Sequence, residues 1–138
     1  MSAKAVKGTV SRVVDGHTIL LTITDDDQVL GVHLAGVALA RGSPFSKKAR
    51  ELLEEKLLNR AVEVWVSPDK WDFEKHAKKV TGVVHVGDGL SNDVGLLLLN
   101  RGLVRFKRPR PYTASAYTAC HYRLAETEAQ SKKLGLWQ

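Results

Sequence analysis

The stretch Val13-Val14-Asp15-Gly16-His17-Thr18 separates two runs of β-branched and apolar residues. Asp-Gly between two such runs is a strong signal for a tight β-hairpin. The run before it, Lys7–Val14, alternates loosely between apolar and polar residues, and Thr18–Thr24 forms the run after it. Asp25-Asp26-Asp27-Gln28 predicts a further turn, and Val29–Val37 predicts a third strand. The first part of the chain therefore predicts an antiparallel sheet of three strands.

A helix is predicted to follow these strands from Pro44, because Ser43 can cap it and proline suits the first helical position. Asn59 predicts its end, and apolar residues recur between them at helical spacing: Phe45, Ala49, Leu52, Leu53 and Leu57. Ala61–Val66 predicts a fourth strand, with three valines on one face and Trp65 on the other. A polar loop over Ser67–His76 is expected before the fifth strand, Val80–Val86.

Two helices are predicted in the last third of the chain. Val94–Arg101 ends at Gly102, and Ser115–Lys133 carries an apolar stripe of Tyr117, Cys120, Leu124 and Leu134. Three antiparallel strands, a helix and two more strands is the chain order of the OB barrel. We therefore expect an α+β, mainly β protein: a five-stranded OB-fold barrel with three helices. At 138 residues it is expected to form a single domain over residues 1–138, with its core at about residues 5–137.

The charge of the chain points to a polyanionic partner, of which nucleic acid is the commonest. The net charge is +6, and the stretch Arg101–Tyr112 contains no acid but holds Arg101, Arg105, Lys107, Arg108 and Arg110. Two prolines and the aromatic residues Phe106 and Tyr112 are interleaved with these cations, as in stiff segments that follow a phosphate backbone.

Composition also suggests where the protein works. A single cysteine excludes an internal disulfide and favours a reducing compartment. No apolar run approaches the length of a membrane span, and the first residues lack the apolar segment of a secretory signal peptide. We therefore expect an intracellular protein, cytoplasmic or nuclear, that does not bind membranes.

Four segments resemble the staphylococcal nuclease, or thermonuclease-like, domain. Val13–Thr18 resembles the V-x-D-G-D-T hairpin of that family, and Val32–Val37 resembles its V-R-L-x-G-I strand. Ser46–Leu58 is similar to its first helix, and Ala125 to Trp137 is similar to its A-E-x-x-A…G-L-W tail. The resemblance covers about residues 5–137. It implies an OB barrel and, in the family, calcium-dependent cleavage of phosphodiester bonds.

The resemblance assigns the metal-binding positions to residues that are mostly not carboxylates. The first aspartate of the hairpin motif is Asp15, whereas the second, a calcium ligand in the family, is His17. A further family aspartate falls on Ala38, and the glutamate that activates water falls on Arg41. Alanine offers no side-chain metal ligand, and an arginine, whose guanidinium stays protonated, cannot act as a base near neutral pH.

The two arginines that clamp phosphate in the family have also changed. The first falls on His33, and the second falls on Lys79, or on Lys78 if the alignment moves by one residue. Lysine keeps the positive charge but loses the planar fork that binds two phosphate oxygens. We therefore predict no catalytic residue and regard His33, Arg41 and Lys79 as degenerate catalytic positions.

These substitutions predict a non-catalytic nucleic-acid-binding domain without a cofactor. Single-stranded RNA or DNA is favoured, because OB folds bind single strands through backbone charge and base stacking. The predicted binding residues are His17, His33, Arg41, Lys78, Lys79, Arg105, Lys107, Arg108, Arg110 and Tyr112. Two alternatives stay open. One is a nuclease that uses a divalent metal ion at Asp15, His17 and His33, and the other is a protein-interaction module with an acidic partner.

Overall fold

A closed five-stranded barrel forms the body of the molecule in the computed structural model, which describes residues 4–86, 92–110 and 114–138. Its strands are β1 (Lys4–Asp15), β2 (Thr18–Ile23), β3 (Val29–Leu34), β5 (Ala61–Val66) and β6 (Lys79–Val86). They close in the order β1-β2-β3-β6-β5, with β3 and β6 parallel and the other neighbours antiparallel. This is the strand order of the OB barrel, so the predicted fold class is confirmed.

The long strand β1 closes the barrel because it pairs with β2 on one side and with β5 on the other. Gly8 lies opposite Ile23 of β2 and opposite Val62 of β5. A Cβ atom at this position would come within 2.8 Å of the Leu21 side chain, so only glycine fits where the two strands approach. The register of β1 against β2 shifts between Val10 and Arg12, which bends the strand as a β-bulge does.

The core fills the barrel and extends under the first helix. Inward-facing side chains alternate along the strands, as in Val10, Ile19 and Val64, each no more than 1% exposed. Helix α1 (Pro44–Leu57) packs against β1 of the barrel and adds the buried residues Ala49, Leu52, Leu53 and Leu57 to the core. The predicted cap of this helix is confirmed, since the Ser43 side chain accepts a hydrogen bond from the Phe45 backbone N–H.

The predicted polar loop over Ser67–His76 is wrong, because Pro68–Ala77 forms helix α2. The structure therefore has four helices among its described residues instead of the predicted three. Helix α2 buries no residue, so it lacks the apolar stripe on which a helix prediction depends. Its signals are local ones: Pro68 at the first position, Asp69 in the first turn and the left-handed Lys78 at its end.

The two last helices, α3 (Val94–Asn100) and α4 (Ala116–Ser131), pack against each other beside the barrel. The predicted stripe of α4 is wrong, since Tyr117 and Leu124 are 74% and 58% exposed and Cys120 is also exposed. The buried face consists of Tyr122, Ala125 and Ala129. It uses one aromatic ring and two small residues, and this close approach leaves the larger apolar side chains outside.

Within the described residues, no helix is both long and apolar enough to span a membrane.

A small second sheet positions the basic segment, by which we mean residues 105–110. Strand β3 ends at Leu34, three residues before the predicted end at Val37, because the chain turns through Gly36 in the left-handed region, with a φ of 80°. The chain then forms β4 (Val37–Ala38), which pairs with β7 (Arg105–Phe106). This pairing brings the residues after Phe106 against the barrel.

Candidate nucleic-acid interface

A cavity of about 470 Å³ opens beside the β1–β2 hairpin. Four parts of the chain contribute to it: the paired ends of β2 and β3, the chain from the end of β3 through β4 towards α1, Thr81 of β6, and the segment that follows β7. It contains most of the predicted binding residues, namely His17, His33, Arg41, Lys107, Arg108 and Arg110. No acidic side chain is present among the described residues that line it. The cavity, which we call the cationic pocket, therefore favours an anionic ligand.

The hairpin turn holds the His17 ring against Asp15. Asp15 Oδ1 lies 2.8 Å from His17 Nδ1 and accepts the His17 backbone N–H at 2.9 Å. Burial alone would raise the pKa of Asp15, but the hydrogen bonds from His17 and the charge of its ring outweigh burial and lower that pKa. Asp15 is thus a carboxylate near neutral pH. It fixes the imidazole through Nδ1 and leaves Nε2 as the nitrogen for other partners.

His33 lies on β3, directly opposite Thr18 of β2 and Thr81 of β6. Its Nδ1 lies 3.0 Å from Thr18 Oγ1, and its ring centroid is 5.6 Å from that of His17. Burial lowers the pKa of His33, and the charges of His17 and Lys79 lower it further against the opposing effect of Asp15. His33 is therefore neutral near pH 7, where it contributes a hydrogen bond but no permanent charge.

The basic segment is attached at three points. The β4–β7 pairing aligns Ala38 with Arg105, and the Lys107 backbone N–H donates to Gly36 O at 2.9 Å. The Phe106 backbone N–H donates to Glu126 Oε2 of α4 at 2.6 Å, a short bond to a carboxylate. These bonds hold the backbone of the segment in place while Lys107 and Arg108 line the cationic pocket.

Comparison with known proteins agrees with this architecture. The family described as staphylococcal nuclease homologue matches residues 31–138. This chain belongs to the staphylococcal nuclease family. It is also 30% identical over 131 residues to a protein of Pyricularia oryzae named probable endonuclease LCL3. The match covers 94% of this chain and 47% of that protein, so the chain spans about half the length of this relative.

In this member of the staphylococcal nuclease family, the side chains at the positions where the family binds calcium do not fit a calcium ion. Calcium takes six to eight oxygen ligands, mostly carboxylates and carbonyls. Asp15 Oδ1 already accepts hydrogen bonds from His17, and Ala38, which lines the cationic pocket, offers no side-chain oxygen. Across residues 4–86, 92–110 and 114–138, no three histidine, cysteine, aspartate or glutamate side chains are grouped so that they could hold a metal ion.

Three further predicted binding residues, Lys78, Lys79 and Arg105, are not among the described residues that line the cationic pocket. Lys79 is exposed and precedes Thr81 by two residues, so both lie on the outer face of β6, and its charge reaches His33. Lys78 ends helix α2 with a φ of 61°, and its carbonyl accepts from Gly31. Arg105 is exposed on β7. Tyr112 lies outside the described residues.

Sequence reasoning missed two threonines of the site. Thr18 orients His33 through its hydroxyl group, and Thr81 lines the cationic pocket beside it. Both positions follow from cross-strand register, since Thr18 and Thr81 flank His33 on its two neighbouring strands. The antiparallel pairing of β2 with β3 could have been counted from the hairpin turn, whereas the parallel pairing of β3 with β6 has no such local signal.

Proposed function

We propose that this chain is a non-catalytic nucleic-acid-binding domain that holds a single strand by its phosphate backbone in the cationic pocket. The observation that supports this most is the set of cationic and imidazole side chains from three parts of the chain, with no acid among the described lining residues. In the calcium-dependent members of the family such a pocket needs a bridging cation because of its carboxylates. Here cationic side chains can contact phosphate oxygens directly.

The side chains of the cationic pocket contribute to binding in two ways, by positive charge and by directed hydrogen bonds. Arg108 and Arg41 supply permanent positive charge, and an arginine can donate two parallel hydrogen bonds to one phosphate. His17, held by Asp15, can donate one directed bond from Nε2. This is backbone recognition, which binds phosphate without reading the base and weakens as salt rises.

Cleavage by the calcium route of the family is not expected at this site. Arg41 occupies the position of the glutamate that activates water, and its guanidinium cannot take a proton near neutral pH. Ala38 replaces a metal ligand with a methyl group. When catalytic groups act as a unit, the loss of one of them alone lowers the rate by several orders of magnitude.

A nuclease with a rebuilt metal site is the second candidate, favoured by the proximity of the His17 and His33 rings. Two imidazoles and a carboxylate are a ligand set that transition metals accept. Its weakness is Asp15, whose Oδ1 is engaged by the His17 ring and backbone. This candidate predicts cleavage that requires Mn²⁺ or Zn²⁺ and is abolished in His17→Ala.

One gel experiment separates these functions. Labelled single-stranded and double-stranded RNA and DNA are incubated with the protein in Ca²⁺, Mn²⁺, Zn²⁺ or EDTA. We expect an intact, shifted single-stranded band in EDTA. Ready cleavage in Ca²⁺ or in EDTA would contradict the proposal. The absence of any shift at about 0.15 M salt, the physiological range, would instead favour a protein-interaction module.

Arg41→Ala tests whether binding depends on the cationic pocket. We expect the variant to bind the single strand about tenfold more weakly, because one charge-assisted phosphate contact is lost. Arg50→Ala is the matched control, since it removes the same charge from an exposed position on α1 that pairs with Glu54. Equal effects of the two variants would show that binding depends on overall charge and not on the cationic pocket.

A further inference from the structure

A second cavity, of about 530 Å³, lies between the outer face of the barrel and α4. Its described lining shares no residue with the cationic pocket. The lining is dominated by rings: Trp65 of β5, His85 of β6, and Tyr117, His121 and Tyr122 of α4. We propose that this aromatic cavity accepts a nucleobase of the strand whose backbone occupies the cationic pocket, an inference that rests on the proposed function.

The aromatic cavity offers flat surfaces that the folded core does not use. Tyr117 is 74% exposed, and its ring lies 4.3 Å from that of His121, centroid to centroid. On the barrel side, the Trp65 and His85 rings lie 4.2 Å apart. An exposed tyrosine beside a histidine contributes little to the stability of the fold, whereas a planar base can stack on either ring.

The aromatic cavity also contains a polar atom that has no hydrogen-bond partner among the described residues. His85 is 5% exposed, and its Nδ1 makes no hydrogen bond within the part of the chain that the structure describes. Buried ring nitrogens nearly always have a partner, because an unpaired one costs free energy. The neighbouring acid, Asp93, is already used: it accepts from Tyr122 Oη at 2.6 Å and from the Leu96 backbone N–H at 3.2 Å. His85 is thus the group left for a ligand.

This combination favours a nucleobase over a cationic ligand. A base presents flat faces to the rings and hydrogen-bonding groups at its edge for His85. A quaternary ammonium group can also lie on aromatic faces, but it has no hydrogen bond to give and would leave His85 Nδ1 unpaired. A lining of aromatic rings with a few polar side chains, among them His85, Ser115 and Thr118, is the pattern of a site for a small, mostly apolar group with a polar edge.

A third cavity, of about 410 Å³, forms a groove between the aromatic cavity and the cationic pocket. This groove shares Arg108 and Pro109 with the cationic pocket and Ser115 with the aromatic cavity. Arg123 of α4 also lines it, with its guanidinium 5.7 Å from the centroid of the Phe106 ring. Two arginines along the connecting groove can hold the phosphates between a backbone in one cavity and a base in the other.

Tyr117→Ala tests the base site, because this exposed side chain can be removed without opening the core. Binding of a short oligoadenylate RNA is compared, by fluorescence anisotropy, with binding of the same sugar-phosphate chain lacking its bases. We expect Tyr117→Ala to bind the oligoadenylate about tenfold more weakly, the loss of one stacked base, and to bind the abasic chain as the wild type does. Phe73→Ala is the matched control, since Phe73 is 77% exposed on α2 and lines neither cavity. His121→Ala is the second variant and is expected to behave as Tyr117→Ala.

The outcomes separate this inference from the proposed function. If the wild type binds RNA and both α4 variants bind it equally well, the base site is overturned while the proposed function stands. If the wild type binds no RNA, the proposed function fails, and adenosine 5′-monophosphate is then titrated with the NMR signals of the Trp65 indole and His121 as reporters. Saturable shifts of those signals support the base site. No shift, or a response to tetramethylammonium alone, overturns it.

Discussion

His33 is expected to change its protonation state when nucleic acid binds. Burial and the charges of His17 and Lys79 hold its pKa below the ordinary value of 6.5 in the free protein. A phosphate beside the ring favours the protonated form, so binding should raise this pKa. We expect the NMR titration midpoint of the His33 ring, assigned with His33→Gln, to lie below 6.5 without RNA and to move upward with it. An unchanged midpoint would place the phosphate away from His33.

A second prediction at the scale of single residues concerns Asp15 and the stability of the fold. Its pKa lies below the ordinary 3.8, so its bonds to His17 stabilise the fold above that pH and lose their effect as pH falls through the lowered value. Asp15→Asn should therefore be less stable than the wild type at pH 6, and the difference should shrink at pH 3. The Asp15 side chain is 41% exposed, which keeps the effect small. Urea denaturation of both proteins at the two pH values measures it, and a difference independent of pH would contradict the assignment.

At the scale of elements, the contact between α3 and α4 depends on Tyr122. Its ring is 1% exposed, and a Cβ atom at Gly95 of α3 would come within 2.6 Å of its hydroxyl oxygen. Tyr122→Phe removes the hydroxyl group that donates to Asp93 Oδ1, and Asp93 is half-buried. We expect the variant to lose about 1–3 kcal/mol of unfolding free energy, the cost of leaving such an acceptor short of a partner.

Tyr117→Phe is the control for this prediction, because it removes the same hydroxyl from an exposed position of α4. It should change the unfolding free energy by less than about 0.5 kcal/mol. Urea midpoints at unchanged slope give both values. If the two variants are equally stable, the bond from Tyr122 to Asp93 does not hold the helices together.

The elements also show which features of the sequence predict structure. The barrel strands and α1 were predicted because their buried residues recur with the period of the element, as Ala49, Leu52, Leu53 and Leu57 do. Helix α2 was missed because it buries nothing, so periodicity gives no signal. The face of α4 was misassigned because large apolar residues were expected inside, whereas Ala125 and Ala129 are buried there. Small residues at a helix contact follow from the packing partner, which local sequence does not show.

At the scale of the whole molecule, the site was only partly predictable. The family resemblance located His17, His33 and Arg41, and the charge pattern located Lys107, Arg108 and Arg110, which the fold then brings to one cavity. The aromatic cavity was not predicted, since Trp65 and His121 come from distant parts of the chain. Their proximity depends on how α4 docks on the barrel. The staphylococcal nuclease family membership accounts for the framework, and the charges in the cationic pocket come from the side chains that line it.

Binding through the overall net charge of +6 and binding through contacts in the cationic pocket predict different salt dependences. Each phosphate neutralised on a single strand releases counterions and adds about −0.7 to the slope of log K against log salt. If Arg108 contacts one phosphate, Arg108→Ala should weaken binding and make this slope shallower by about 0.7. Arg50→Ala, which lowers the net charge equally but lies on α1, should leave the slope unchanged. Titrations over a range of KCl concentrations measure both slopes. Equal slopes for the wild type and both variants would mean that binding depends on the overall charge of the protein and not on a phosphate contact at Arg108.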